Sequence, residues 1–145
     1  MNKEAKIVAD KVTEITGLNV FRNTRKREYI EARALLNFIL KNIKGMTLYA
    51  IRDFYIENNK AYDHATVLHS ISNFDMYRKY NKKLDKQLNL FSELYDDIDA
   101  KREVIINNLI WLSRENLNEL YRITNGMYQQ EFVNEIEVEE EIVEA

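Results

Sequence analysis

The stretch of this chain richest in groups that can do chemistry is Asp63-His64-Ala65-Thr66, with His69 close behind. Aspartate is a strong helix N-cap, because its carboxylate accepts a backbone N–H of the first turn. Val67, Leu68, Ile71 and Phe74 follow at helical spacing and predict the buried side of a helix opening at Asp63. Its first turn then carries an acceptor, an imidazole and a hydroxyl, although Thr66 can equally bond within its own helix. His64 and His69 do not read as metal ligands. Five residues apart they point about 140° apart on a helix, and the chain has no cysteine to support them. Carboxylates are plentiful, yet no pair stands with a base or nucleophile, and no G-x-x-x-x-G-K-[ST] phosphate loop occurs. No enzyme, cofactor, nucleotide or metal is expected. The other loaded stretch is Arg22-Asn23-Thr24-Arg25-Lys26-Arg27, which taken alone is either a solvated run or a polyanion contact.

The elements that position these groups are helices. In 145 residues there is no proline and only three glycines, so the two residues that punctuate loops and sheets are nearly missing. Hydrophobic residues make up 46%, enough for a real core, and an all-α chain follows. Ala5, Val8, Val12 and Ile15 predict a first helix closed by Gly17. Leu35, Phe38, Ile39 and Ile43 predict a second over about 28–44, stopped by Gly45. Thr47 caps a third bearing Leu48, Ile51 and Phe54, and residues 57–62 form a polar turn before Asp63. Leu84, Leu88, Phe91, Tyr95 and Ile98 continue at alternating steps of four and three, either a packing seam or a self-association face. Ile105, Leu109 and Leu112 extend this pattern, and Trp111 among them is expected in the core. A helix over 113–124 follows, with Asn125-Gly126 as its stop.

Charge divides the chain. Residues 1–83 carry 16 Lys/Arg against 9 Asp/Glu, and residues 84–145 carry 5 against 15. Such halves point to one surface that meets a polyanion and another with a different task. From Glu131 onward there are seven Glu and no Lys or Arg. Glu135-Ile136-Glu137-Val138-Glu139 alternates, and with no sheet to join, an extended, mobile acidic tail is expected. No run of about 18 apolar residues offers a membrane span, and the charged start lacks a secretory apolar stretch. A cytoplasmic protein without membrane contact is expected.

Two short helices joined by a polar turn, the second capped and small at its start, describe a helix-turn-helix. The residues resemble one family in particular. Asp63-His64-Ala65-Thr66-Val67-Leu68-His69 is similar to D-H-T-T-V-x-H, the signature of the C-terminal DNA-binding domain of the bacterial replication initiator DnaA family. Thr47-Leu48-Tyr49-Ala50-Ile51 matches the family's S-L-P-E-I, Glu31-Ala32-Arg33-Ala34-Leu35 falls on the start of its long helix, and Arg25-Lys26-Arg27 on its basic loop. The resemblance covers roughly residues 6–98, in order.

It implies a DnaA/Trp-repressor-like bundle that binds double-stranded DNA, regulating transcription or replication. Asp63, His64, Ala65, Thr66 and His69 would face the major groove. There an Asp accepts from the cytosine amino group, a His donates to purine N7 or O6, and the Ala65 methyl packs on a thymine methyl. Arg27 would enter the minor groove. Arg25, Lys26, Arg33, Thr47 and Lys60 would contact phosphates. The family's first Thr is Ala65 here, and its G-G-R before Asp-His is replaced by the longer Asn58-Asn59-Lys60-Ala61-Tyr62, so a different DNA site is implied. The resulting organisation is a DNA-binding domain over 1–98, a helical extension over 99–130 for oligomerisation or a protein partner, and the acidic tail over 131–145. The rival expectation is a non-enzymatic interaction protein, for instance a phage assembly component, that keeps the fold without binding DNA.

Overall fold

The computed structural model describes residues 2–144, and side chains through residue 137. Its described residues form eight α-helices and one π-helical turn, with no strand among them. They fall into two compact units, residues up to 105 and residues from 106 onward.

In the first unit, α1 (Lys3–Thr16) is capped by Asn2, whose side chain accepts from the Ala5 N–H. It ends at Gly17, which at φ 72° adopts the left-handed cap that a β-carbon disfavours. A loop leads to α2 (Arg27–Phe38), which passes without a break into a π-helical turn over Ile39–Ile43. There the Lys44 N–H reaches back to the Ile39 carbonyl at 3.0 Å, and Gly45 turns the chain. The short helices α3 (Leu48–Glu57), α4 (His64–Ser72) and α5 (Phe74–Tyr80) follow, then α6 (Lys82–Leu94) and the start of α7 (Ile98–Leu109).

α2 is the axis, packed by α1, α4, α5 and α6. Its residues 31–37 are all buried, so it has no solvent face along that length. Around it close Val8 and Val12 of α1, Ile51 and Phe54 of α3, Phe74 of α5, and Leu84, Leu88 and Phe91 of α6. The caps expected at Gly17, Thr47 and Asp63 are where the sequence places them.

Some expectations give way. The apolar spacing past Asp63 runs across two helices: Asn73 separates α4 from α5, and Phe74 belongs to the second. Leu68 is 51% exposed, because α4 rests on its neighbours along one narrow edge. Ile98 also lies outside the core, beyond the break after Leu94.

The second unit holds the end of α7 and the long α8 (Arg114–Glu144), whose first turn is capped by Ser113. Trp111 is 71% exposed and does not enter a core. Asn125-Gly126 does not stop α8. A glycine inside a helix costs about 1 kcal/mol relative to alanine, which the continuous hydrogen-bond ladder on either side outweighs. The backbone of residues 131–144 belongs to the same helix, in place of the expected extended tail. A lone strand has no partner for its N–H and C=O groups, whereas a helix satisfies them internally.

Candidate nucleic-acid interface

α4 owes its direction to its cap. The Asp63 carboxylate accepts the Thr66 N–H at 2.7 Å. That backbone bond and then the Thr66 hydroxyl hold the Asp63 carboxyl below its ordinary range; desolvation opposes them, and His64 and the Ala65 N–H add smaller effects in the same downward direction. Of the nine residues of α4 only Val67 and Ser70 are buried. Asp63, His64, Ala65, Thr66 and His69 are all exposed along this one helix and its cap.

The buried edge of α4 is fixed by a polar network inside the core. Tyr55 of α3 donates its hydroxyl to Asn37 Oδ1 of α2 at 2.8 Å, and Asn37 Nδ2 donates to Ser70 Oγ of α4 at 2.7 Å. The Ser70 hydroxyl in turn donates to the Val67 carbonyl. The Asn37 amide also reaches the Tyr62 hydroxyl at 3.4 Å, and the Tyr62 ring stacks on Tyr55 with centroids 4.2 Å apart. One amide thus ties together α2, α3, the turn and α4. Burial, reinforced by the neighbouring Tyr62, pushes the Tyr55 phenol well above its ordinary value, and burial raises Tyr62 as well. The signal for this network was present as a lone Asn in the apolar run 34–40, but its partners are distant in sequence.

The turn between α3 and α4 spans residues 58–63. Asn59 takes the left-handed conformation at φ 62°, which asparagine tolerates better than most residues. The Lys60 N–H then closes onto the Tyr55 carbonyl at 3.0 Å.

Two of the residues expected to contact phosphates do not lie on the outer surface. Arg33 is only 5% exposed. Its guanidinium donates to the carbonyls of Val20, Arg22 and Thr24 at 2.7–2.9 Å, so it pins the basic loop from within and cannot reach out from it. Lys60 is 8% exposed, with its ammonium 3.5 Å from the Arg22 carbonyl and 3.4 Å from Asn23 Oδ1. Burial, and then the Arg33 charge, lower its affinity for the proton. The other cations stay on the surface. Arg25 and Lys26 are exposed, and Arg25 lines one cleft with Thr66 and His69. Arg27 is exposed too, but it pairs with Glu31 at 3.0 Å and lines a different cleft with Met76 and Tyr80. Thr47 is exposed, its hydroxyl accepting the Ala50 N–H at the head of α3.

Two surface residues escaped the sequence reading. The Tyr49 ring stacks on His64 at 4.7 Å, and the Arg52 guanidinium lies 5.0 Å from that ring. Together they continue the α4 head onto α3. Tyr49 and Arg52 are three apart, which puts them on one helix face, but nothing local links them to His64.

Compared with family models, with curated proteins and with solved structures, the chain finds no match. The site's meaning therefore rests on its own geometry. Among the described residues no cluster of His, Asp or Glu suits a metal, and no helix is long and apolar enough to cross a membrane.

Proposed function

We propose that this chain binds double-stranded DNA, with α3 and α4 as a DnaA/Trp-repressor-like helix-turn-helix and α4 as the helix that enters the major groove. The observation that carries this reading is the exposure of α4. A nine-residue helix buries two residues; its cap and first turn expose an acid, an imidazole, a methyl and a hydroxyl, and a second imidazole, His69, is exposed in its last turn. A major groove about 12 Å wide admits one such helix and offers each of those groups a partner on a base edge. The flanking charge fits the same surface through Arg25, which lies beside Thr66 and His69.

In this reading Asp63, His64, Ala65, Thr66 and His69 read bases, while Arg25, Lys26 and Thr47 meet phosphates. Arg33 acts indirectly, by holding the loop. Arg27 takes the minor groove on the far side of that loop. The task is regulation of transcription or replication, without catalysis.

The test is a titration of fluorescent duplexes, initiator-box-like and scrambled, at two salt concentrations. Affinity should fall steeply with salt, as counterions released from DNA require. No binding to any duplex at low salt would sink the reading.

A second reading concerns residues 99–130, proposed as a surface for a second copy of the chain. It is favoured by the exposure of Ile110, Tyr121 and Tyr128, large side chains that stand open to solvent. Two copies would bring two reading helices to paired half-sites. Sedimentation velocity across a hundredfold concentration range checks it, and a single monomeric species throughout would remove it.

A further inference from the structure

Beside α4 lies a cleft of about 650 Å³ whose lining is unusual in its charge. Arg25, Arg33 and Lys60 all face it, together with the hydroxyls of Thr66, Ser70 and Tyr77, and no carboxylate lines it. None of the three cations has an ion pair among the described residues. Arg33 spends its donors on loop carbonyls. Lys60 makes two long contacts to neutral oxygens, has its ammonium 6.0 Å from the centroid of the Tyr62 ring, and is more than nine-tenths buried. The cleft around Arg27 shows the alternative, since Glu28 and Glu31 line it and balance the charge.

A buried ammonium without a counter-charge is expensive. Burial and the Arg33 charge already weaken its hold on the proton, and a bound anion would relieve both. Hydroxyl and imidazole donors around the cations favour a ligand with several acceptor oxygens over a halide. The volume exceeds what a single small oxyanion fills.

We infer that this cleft is a phosphate-binding site, in which Lys60 and Arg25 hold a phosphate group by charge-assisted hydrogen bonds and the Thr66 or Tyr77 hydroxyl completes its coordination. The phosphate comes either from a small phosphorylated molecule or from the DNA backbone beside α4. The site shares Arg25, Thr66 and His69 with the surface proposed to read DNA, but binding of a free phosphate does not depend on that reading.

The probe is inorganic pyrophosphate, titrated into the full chain at constant ionic strength against sodium chloride, followed by calorimetry and by backbone amide NMR. Saturable binding is expected, with amide shifts concentrated at Ala61, Thr66 and His69. Lys60→Met should weaken it about tenfold, the loss of one charge-assisted contact, while Lys86→Ala, an exposed position on α6 outside the cleft, should leave it unchanged. A melting curve of Lys60→Met shows whether that variant is folded, and Arg25→Ala, at an exposed position, gives the same test without a buried change. Competition with a duplex assigns the source. If pyrophosphate displaces DNA, the site takes a backbone phosphate; if both bind together, it takes a free phosphorylated molecule. Pyrophosphate binding without duplex binding would remove the DNA reading and leave this one standing. No saturable response, or equal affinity in the wild type, Lys60→Met and Arg25→Ala, would overturn it.

Discussion

Helices α2 and α4 pack against each other, and they use their residues in opposite ways. α2 buries a Glu, an Arg and an Asn within residues 31–37. α4 leaves a Leu and two His in the open. What separates them is whether the polar atoms find partners inside. Glu31 accepts from Arg27 and Asn81, Arg33 donates to three carbonyls, and Asn37 serves Tyr55 and Ser70. With every bond made, burial of those groups is tolerable. The exposed groups of α4 have few such partners, and their donors and acceptors remain available for something else. Polarity inside marks architecture here, and exposure outside marks the candidate interface.

The largest effect should come from breaking the α2 side. Asn37→Ala leaves the Tyr55 hydroxyl buried without its acceptor and opens a small void, which together cost about 3 kcal/mol. Its counterpart on α4, Leu68→Ala, should change stability by no more than about 0.5 kcal/mol, as for most surface substitutions. Urea denaturation measures both. Similar losses in the two variants would mean that α4 is no freer than α2.

Arg33→Lys is the next test. A lysine keeps the charge but cannot span the carbonyls of Val20, Arg22 and Thr24 with a planar fork. A destabilisation of about 2 kcal/mol is expected, with weaker duplex binding through a loosened loop. Arg25→Ala should do the reverse: stability near wild type, and a salt dependence of binding reduced by roughly one phosphate contact. If Arg33→Lys is neutral in both assays, its role in pinning the loop is wrong.

His64→Ala addresses the α4 side directly. Stability should stay within about 0.5 kcal/mol, while discrimination between duplexes falls by about 1–3 kcal/mol, the worth of a good base contact. Tyr49→Ala should produce a smaller loss in the same direction, because it removes the ring on which His64 stacks. A uniform loss over all duplexes would reassign His64 from reading to positioning.

The same contrast explains what the sequence could disclose. Caps were legible because they are local: Asp63 and Thr47 bond three residues ahead, and Gly17 closes its own helix. The head of α4 was legible for the same reason. Arg33 was misread because its three partners lie 9–13 residues away, in a loop whose path depends on the fold. Leu68 was misread because helical spacing reports which residues share a face, not how wide the neighbouring surface is. The π-helical turn after Phe38 has no residue signature, and the length of α8 overrode a stop signal that is weak in isolation.

The smallest effect, and the one that probes the shared seam of the two helices, is alkaline. The Tyr55 phenol is raised by burial first and by Tyr62 second, with the Arg33 charge opposing. The folded state therefore keeps a proton that the unfolded chain releases near pH 10. Below that pH the folded form has its full stability; above it, stability declines as the unfolded chain ionises and the fold cannot. Tyr55→Phe loses a hydrogen bond worth about 1 kcal/mol at neutral pH, yet it should decline less steeply above pH 10, so the two curves converge. Tyr62, raised by its own burial, leaves a residual slope that a second Tyr62→Phe change should remove. Lys60 works with the opposite sign. Its lowered proton affinity means a burial penalty at neutral pH that lifts as pH climbs through its folded value, so Lys60→Met should lack that rising limb. Parallel curves for the wild type and Tyr55→Phe would show that the phenol ionises freely in the fold, and that the network joining α2 to α4 opens far more easily than its distances imply.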